Sequence, residues 1–207
     1  MKEHPILFST EMVQAILEVH KVQTRRIIKP QPIKNVTTVL QSKLGDEWKW
    51  YTSPLALVRL SYGKWFKCPY GKVGDRLWVR EGIFEYDGWA WYQADDIPVW
   101  ANKQAKRWEH KSKTLSARFM PRWASRITLE ITDIRVERLQ EITEEDAIAE
   151  GVAPKLGKYI TVTDETILKI KKSEALNNFK ELWDSINGKK HSWESNPWVW
   201  VIEFKKI

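Results

Sequence analysis

Short segments rich in β-branched and aromatic residues follow one another along this chain, and few stretches carry helical periodicity. Residues 126–135 alternate apolar and polar side chains, which predicts a half-buried strand, and residues 198–204 predict a closing apolar strand. Asp87-Gly88 lies between two more such segments and is typical of a hairpin turn. Because strands and helices do not alternate as in βαβ units, the pattern favours a barrel-like α+β fold.

Capping residues and apolar spacing predict the first two helices. Ser9 or Thr10 caps a helix that runs to about Lys21. Thr143 caps a short second helix over residues 144–150, whose first turn is acidic, as the helix dipole favours. We therefore expect helices that flank a fold made mainly of strands.

The length of 207 residues permits one domain with insertions or two small domains. A third, longer helix covers about residues 176–186 and ends near Gly188. Residues 36–60 have the pattern of an inserted hairpin, and residues 93–122 have that of a long loop.

Composition excludes several classes of protein. No signal peptide and no apolar stretch of membrane-spanning length is present, so we expect a cytoplasmic protein without a membrane partner. The single cysteine, Cys68, excludes an intramolecular disulfide and a multi-cysteine zinc site. His20, His110 and His191 lack the spacing of paired metal ligands, so no metal and no cofactor are expected.

The net charge of +7 is concentrated in residues 101–126, which we call the basic segment. Its cations are Lys103, Lys106, Arg107, Lys111, Lys113, Arg118, Arg122 and Arg126, against the single acid Glu109. Cations interleaved with aromatic rings suit an unpaired strand, because the cations bind phosphates and the rings stack on bases. The contacts predicted to single-stranded RNA are Lys106, Arg107, Trp108 and Lys111. The alternative is a solvated loop whose aromatic residues pack inward.

The residues that follow the first helix form the densest candidate site. If the helix extends one more turn, Lys21 and Thr24 lie on one face. A threonine hydroxyl needs a neighbouring base to act as a nucleophile, and a lysine is a base only when neutral. Arg25 and Arg26 would lower the pKa of Lys21 by like-charge repulsion. The same residues also suit a basic helix end, so spacing alone leaves both interpretations open.

Four motifs occur in the order in which they occur in the ASCH family. They are Lys21-x-x-Thr24-x-Arg26, Gly74-Asp75-x-Leu77-Trp78-Val79, residues 142–150, and Val201-Ile202-Glu203-Phe204. The opening residues 5–9, together with Thr24-Arg25-Arg26, resemble the longer ASCH proteins of bacteriophages and prophages. One departure is Val19, which stands where the family usually has a glycine two positions before the lysine. The resemblance extends from about residue 5 to the carboxyl terminus.

The resemblance implies a fold and a ligand class. ASCH domains are PUA-like β-barrels with flanking helices, and they are associated with RNA. A single ASCH domain over residues 1–207 would then carry loop insertions near residues 31–66, 93–122 and 152–172. The best-understood small bacterial member is an amidohydrolase that removes the acetyl group from N4-acetylcytidine.

The resemblance also implies roles for individual residues. Lys21 matches the family's catalytic lysine, Thr24 its threonine and Glu150 its glutamate. Arg25 and Arg26 are the expected substrate-binding residues beside them. Glu150 has an independent argument as well, because a carboxylate in the last turn of a helix gains from a nearby cation.

Three functions follow from these observations. The leading hypothesis is an amidohydrolase that deacylates a modified pyrimidine nucleoside such as N4-acetylcytidine. The alternative is a non-catalytic module that binds single-stranded RNA, and a ribonuclease ranks third. Glu81 and Glu85 follow a predicted strand and either line the cleft or, as is commoner for such residues, are exposed.

Overall fold

The computed structural model describes residues 1–33, 36–52, 61–99, 111–152 and 164–207, with backbone alone at residues 61–62 and 164–173. Strands dominate this part of the chain, which confirms the α+β class. The strands are β1 (Glu3–Leu7), β2 (Gln23–Ile27), β3 (Thr38–Gln41), β4 (Trp48–Tyr51), β5 (Ser61–Phe66), β6 (Arg76–Arg80), β7 (Ile83–Tyr86), β8 (Trp89–Tyr92), β9 (Thr114–Leu115), β10 (Thr128–Arg138) and β11 (Trp198–Lys206). The helices are α1 (Thr10–Leu17), α2 (Glu144–Ala149) and α3 (Asp164–His191).

A five-stranded sheet in the order β1-β6-β10-β11-β2 forms the centre of the molecule. Its longest pairing is between β10 and β11, which are antiparallel, whereas β1 and β6 are parallel. Two three-stranded sheets, β3-β4-β5 and β8-β7-β9, lie outside it. Within the described residues these sheets do not close into a barrel, because the edge strands β1 and β2 each pair on one side only. The described strands are therefore those of an α+β fold without the closure of a barrel.

Tryptophan fills the core between the central sheet and the β3-β4-β5 sheet. Trp48 and Trp200 meet edge to face with ring centroids 4.8 Å apart, and Trp50 lies 5.2 Å from Trp198. Phe66 stacks on Trp50 at 4.6 Å. Offset and edge-to-face pairs of this kind stabilise a core beyond the area that they bury. Some of the chain's 13 tryptophans thus serve to pack the core.

The opposite face of the central sheet packs against α2 and α3. Val199 and Val201 on β11 alternate with Trp200, as neighbouring residues of a strand do, and contact this second cluster. Phe179 and Trp183 on α3 cover them. The third helix is longer than predicted, since α3 begins at Asp164 and ends at His191.

The predicted hairpin and the predicted strand at residues 126–135 are both present. Asp87 and Gly88 have φ angles of 51° and 78° and join β7 to β8, as in a two-residue turn that matches strand twist. The alternating segment forms β10, which extends to Arg138. The inserted hairpin predicted within residues 36–60 forms as β3 and β4 around Gly45.

The first helix is shorter than predicted. Ser9 caps it as expected, but α1 ends at Leu17. Val19 takes a left-handed φ of 62°, and the amides of His20 and Lys21 both donate to the Ala15 carbonyl at 2.8 and 3.0 Å. This turn reverses the chain, so Thr24 lies on strand β2 and the shared helical face with Lys21 does not form. Glycine adopts such a φ without strain, whereas a β-branched residue such as valine does so only at a cost.

Candidate active site

The turn after α1 brings Lys21 against the end of α2. Lys21 and Glu150 form an isolated antiparallel bridge, and the Val22 amide donates to the Ala149 carbonyl at 2.9 Å. Gly151 makes this approach possible: it has a φ of 79°, and a Cβ there would lie 2.8 Å from the Lys21 Cβ. Two segments that are far apart in sequence are therefore held together by backbone contacts.

A buried ion pair stands at this junction. Lys21 Nζ donates to the Glu150 carboxylate at 2.9 Å and to the Glu150 main-chain carbonyl at 2.7 Å. The lysine side chain has no exposed surface, and Glu150 is 5% exposed. A charge pair so far from water requires close geometry and further hydrogen bonds to offset its desolvation.

Arg25 supplies those further contacts. Its guanidinium is buried and lies 3.4 Å from the second Glu150 oxygen, so that Glu150 is shared between Lys21 and Arg25. The same guanidinium pairs with Asp146 at 2.7 Å and with Glu137 at 3.2 Å. Arg25 thus lies against three carboxylates and fixes the position of Glu150.

Beyond Arg25 the ion pairs continue across the sheet. Arg135 on β10 donates to Asp146 at 3.1 Å and also contacts Glu137 and Glu203. This network holds α2 against β10 and β11. Asp146 and Glu137 were missed as site residues. Asp146 lay in a motif quoted for the resemblance, and its position three residues after the Thr143 cap was the available signal, since its carboxylate also caps α2.

Arg26 has a different environment from Arg25. Its guanidinium donates to the Leu7 carbonyl at 2.5 Å and lies 5.1 Å from the centre of the Phe8 ring. Among the described residues no carboxylate forms an ion pair with it, and its Nε is buried without a partner. Arg26 therefore keeps a net positive charge that a substrate oxygen can meet.

A small cavity of about 80 Å³ lies against these residues. Thr24, Arg25, Arg26 and Glu150 form its polar wall, while apolar side chains of α3 cover it. A larger cavity of about 430 Å³ adjoins it and shares Met12, Glu150 and Leu182. Lys21 contacts the cavity wall through Glu150 and does not line it. Ligand sites in proteins commonly combine an apolar cleft with a few convergent polar groups in this way.

Burial decides the acid–base character of Lys21. Desolvation lowers the pKa of its amine, the Glu150 carboxylate opposes that shift, and the charges of Arg26 and Arg25 lower the pKa further. The net direction is downward from 10.5, so Lys21 loses its proton more readily than an ordinary lysine. An amine with a lowered pKa is thus paired with a carboxylate that shares a cavity wall with a hydroxyl.

The residues predicted for the site are found in three situations. Lys21 pairs with Glu150, and Thr24, which is only 3% exposed, shares a cavity wall with Glu150. Arg25 and Arg26 line the same cavity. Of the RNA contacts predicted in the basic segment, Lys106, Arg107 and Trp108 lie outside the described residues, and Lys111 is exposed and away from the cavity.

In the described end of the basic segment, part of the positive charge that the composition indicates is neutralised by ion pairs. Arg122 pairs with Glu3, and Arg126 pairs with Glu81 and with Asp95. Phe119 is nonetheless 66% exposed. The aromatic residues of this segment therefore do not all pack inward.

Glu81 corrects another expectation. We expected it to be exposed or to line the cleft, yet it is 1% exposed and forms a two-bonded pair with Arg126 at 2.9 Å. The backbone amide of Glu81 also donates a hydrogen bond to the Met120 sulfur. Burial raises the pKa of the Glu81 carboxyl, and Arg126 opposes that shift. Glu85 is partly exposed and accepts from the Gly88 amide in the hairpin.

Two searches of the described residues found nothing. They contain no group of three or more histidine, cysteine, aspartate or glutamate side chains that could hold a metal ion. They also contain no helix long and apolar enough to cross a membrane.

The chain was compared with models of protein families, with curated proteins and with solved structures, and no match was found.

Proposed function

We propose that this chain is an ASCH-type, PUA-like amidohydrolase that deacylates a modified pyrimidine nucleoside such as N4-acetylcytidine. The observation that carries the proposal is the buried Lys21 amine, held 2.9 Å from the Glu150 carboxylate at a cavity lined by Thr24. These are the three residues that the family motif assigns to catalysis. They come together although 129 positions separate Lys21 from Glu150.

The first half of the reaction transfers the acyl group to the protein. Thr24 Oγ1 attacks the acyl carbon while the neutral Lys21 amine takes the hydroxyl proton, which leaves a tetrahedral oxyanion and an ammonium group. Collapse of this intermediate breaks the bond between the acyl carbon and the exocyclic N4. The Lys21 ammonium returns its proton to N4, and cytidine leaves while Thr24 carries the acetyl ester.

The second half regenerates the hydroxyl. A water molecule attacks the ester carbon, and Lys21 takes the water's proton. The new tetrahedral intermediate collapses by breaking its bond to Thr24 Oγ1, which receives that proton from Lys21. Acetic acid is released and ionises to acetate. Lys21 is again a neutral base, and no other reactant is consumed.

The neighbouring charges have separate parts in this scheme. Glu150 orients the Lys21 amine and can accept a hydrogen bond from the leaving N4 group. Arg25, which contacts three carboxylates, acts as a positioning residue for Glu150. Arg26 has no carboxylate partner among the described residues, so we assign the oxyanion or the substrate's polar groups to it.

The two adjoining cavities suit a substrate of nucleoside size. The small cavity beside Thr24 suits the acetyl group, and the adjoining space of about 430 Å³ falls within the usual range for small-molecule sites. Glu150, Met12 and Leu182 stand at the boundary between them. The amide bond to be cut would lie at this boundary, next to Glu150.

The direct experiment measures acetate release by the purified protein from N4-acetylcytidine. The free nucleoside and a short RNA that contains it are tested separately. We expect turnover of the free nucleoside, and we expect Thr24→Val to lower it by roughly 10³-fold or more, because valine keeps the shape of threonine without its hydroxyl. Thermal unfolding of the variant serves as the control for its fold. The absence of acetate release from both substrates would overturn the hydrolase proposal.

A non-catalytic RNA-binding module is the second candidate. The observation in its favour is the exposure of Phe119 and Lys111 in the basic segment, which offers a ring and a cation to an unpaired base and its phosphate. RNA binding that weakens with salt, without acetate release, would favour this function instead.

A further inference from the structure

A second concave region lies along residues 28–33, which connect β2 to the inserted hairpin. One cavity of about 300 Å³ is enclosed by this segment, β4, β5 and Trp200. Another of about 540 Å³ lies between the same segment and the residues that lead into β11. Both cavities include Gln31, Pro32 and Ile33 in their walls, so they adjoin at this segment, and we call the two together the residue 28–33 groove.

Positive charge surrounds this groove. Lys29, Lys64 and Lys67 line its first cavity, and Arg138 and Lys190 line its second. Among the described residues that line either cavity there is no aspartate or glutamate. The cavity of about 430 Å³ at the candidate active site differs in this respect, since Glu11, Glu150 and Glu181 line it. The two concave regions are therefore built for ligands of different charge.

Several of these cations are not neutralised. Lys67 pairs with Glu47 at 3.4 Å, and Arg138 donates to the Asn196 carbonyl at 3.0 Å. Within the part of the chain that the structure describes, no carboxylate forms an ion pair with Lys29, Lys64 or Lys190, and all three are exposed. Cations at the edge of a concave surface, without acids beside them, concentrate a field that attracts anions.

The floor of the groove is aromatic and fixed in position. Trp50 and Trp200 line the first cavity, and Trp198 lines the second beneath the Arg138 guanidinium, which lies 4.4 Å from its ring centre. The Gln31 side chain fixes the segment that both cavities share. Its amide nitrogen donates to the Trp198 carbonyl at 2.8 Å, and its oxygen accepts from the Trp198 amide at 2.8 Å. Trp50, Trp198 and Trp200 are at most 7% exposed, so they hold the groove rigid, and its cationic edge is the surface that a ligand meets.

We propose that the residue 28–33 groove binds single-stranded nucleic acid, with backbone phosphates on Lys29, Lys64 and Lys190. A strand fits better than a mononucleotide, because cations occur in both cavities on either side of the shared wall and so can meet successive phosphates. An unpaired strand fits better than a duplex, because the cations line cavities that a duplex of stacked base pairs cannot enter. This site is separate from Thr24 and Glu150, and it stands whether or not the chain is a hydrolase.

The test measures binding of a fluorescent oligouridylate to the full chain over a range of salt concentrations. Substituting Lys29, Lys64 and Lys190 together by glutamine removes three phosphate contacts. The slope of log affinity against log salt should then become less negative by about 2, at roughly 0.7 per contact. The matched control substitutes Lys2, Lys72 and Lys206, which are also exposed but lie outside the groove, and it should keep the wild-type slope. Because all six lysines are exposed, both variants should keep the wild-type unfolding temperature.

Three outcomes would overturn the proposal that the groove binds a strand. Equal losses in the groove variant and in the control would show diffuse attraction by net charge. Loss only when Lys111, Lys113 and Arg118 are substituted would place the strand on the basic segment instead. Competition by uridine monophosphate or inorganic phosphate as strong as that by unlabelled oligouridylate would show a site for one phosphate. The proposal requires that the longer strand competes much more strongly.

Discussion

Two buried ion pairs in this molecule look alike at first, and their difference separates the proposed site of chemistry from a structural contact. Lys21 and Glu150 meet at 2.9 Å, and Arg126 and Glu81 also meet at 2.9 Å. Both carboxylates are almost wholly shielded from solvent. Desolvation acts on both pairs, so burial and distance alone do not distinguish them.

The Arg126 pair is saturated by its neighbours. Its guanidinium donates to both Glu81 oxygens and to Asp95, and it lies 3.8 Å from the centre of the Tyr92 ring. Burial acts to lower the pKa of Arg126, but the hydrogen bonds from Glu81 and Asp95 outweigh it and raise that pKa. Burial raises the pKa of Tyr92 to about 12. These shifts make Arg126 and Tyr92 hold their protons more firmly, and neither Arg126 nor Glu81 lines any of the cavities described above.

The Lys21 pair differs in both respects. Its cation is an amine whose pKa burial lowers, and its carboxylate forms part of a cavity wall next to Thr24. A lysine can exchange its proton where an arginine cannot. A buried ion pair therefore points to catalysis when its cation can be deprotonated and a cavity reaches it, and it points to structure when neither condition holds.

Of the predicted effects, the loss of stability in Arg126→Met should be the largest. It leaves the Glu81 carboxylate buried without its partner, so we expect a loss of about 3–5 kcal/mol in the free energy of unfolding. Urea denaturation measures it, and acetate release at saturating substrate should stay at the wild-type rate. Arg126→Lys, which keeps one charge, is the matched control and should lose less. A drop in turnover of Arg126→Met without a loss of stability would break the distinction between the two pairs.

Glu150→Gln should give a smaller effect, seen in the pH dependence of kcat/KM. The Glu150 charge raises the pKa of Lys21, so its removal lowers that pKa. The amine then becomes neutral at lower pH, and the acidic limb of the profile should move to lower pH than in the wild type. Glu137→Gln is the control, because it removes a carboxylate that contacts Arg25 rather than Lys21. Its acidic limb should stay where it is in the wild type. An acidic limb that stays in place or moves to higher pH in Glu150→Gln would contradict the role given to the Glu150–Lys21 pair.

Local signals allowed much of the fold to be predicted. The Asp87-Gly88 turn, the Ser9 and Thr143 caps and the alternation before β10 each depend on a few neighbouring residues. Closure of the sheets is a different matter, since it depends on which distant strands pair. The strand pattern is the same whether β1 and β2 meet each other or stand as separate edges.

The candidate site was predictable in part for the same reason. The resemblance supplied Lys21, Thr24 and Glu150; in the structure Lys21 pairs with Glu150, and Glu150 shares a cavity wall with Thr24. The helix expected to carry Thr24 ends early because Val19 reverses the chain, a conformation that its residue type does not signal. Arg25 was predicted to bind substrate, but its guanidinium lies against Glu137, Asp146 and Glu150. Contacts over such sequence distances leave no periodic signal in the chain.

The most direct measurement is acetate release from N4-acetylcytidine by Lys21→Arg. Arginine keeps the positive charge beside Glu150 but stays protonated, so it preserves the ion pair and removes the base. We expect turnover to fall by about 10²–10⁴-fold while the unfolding temperature changes little. Lys21→Met, which removes the charge, runs beside it and should be as inactive and less stable. Wild-type turnover in Lys21→Arg would contradict the assignment of Lys21 as the base and would make this ion pair a structural contact like that of Arg126.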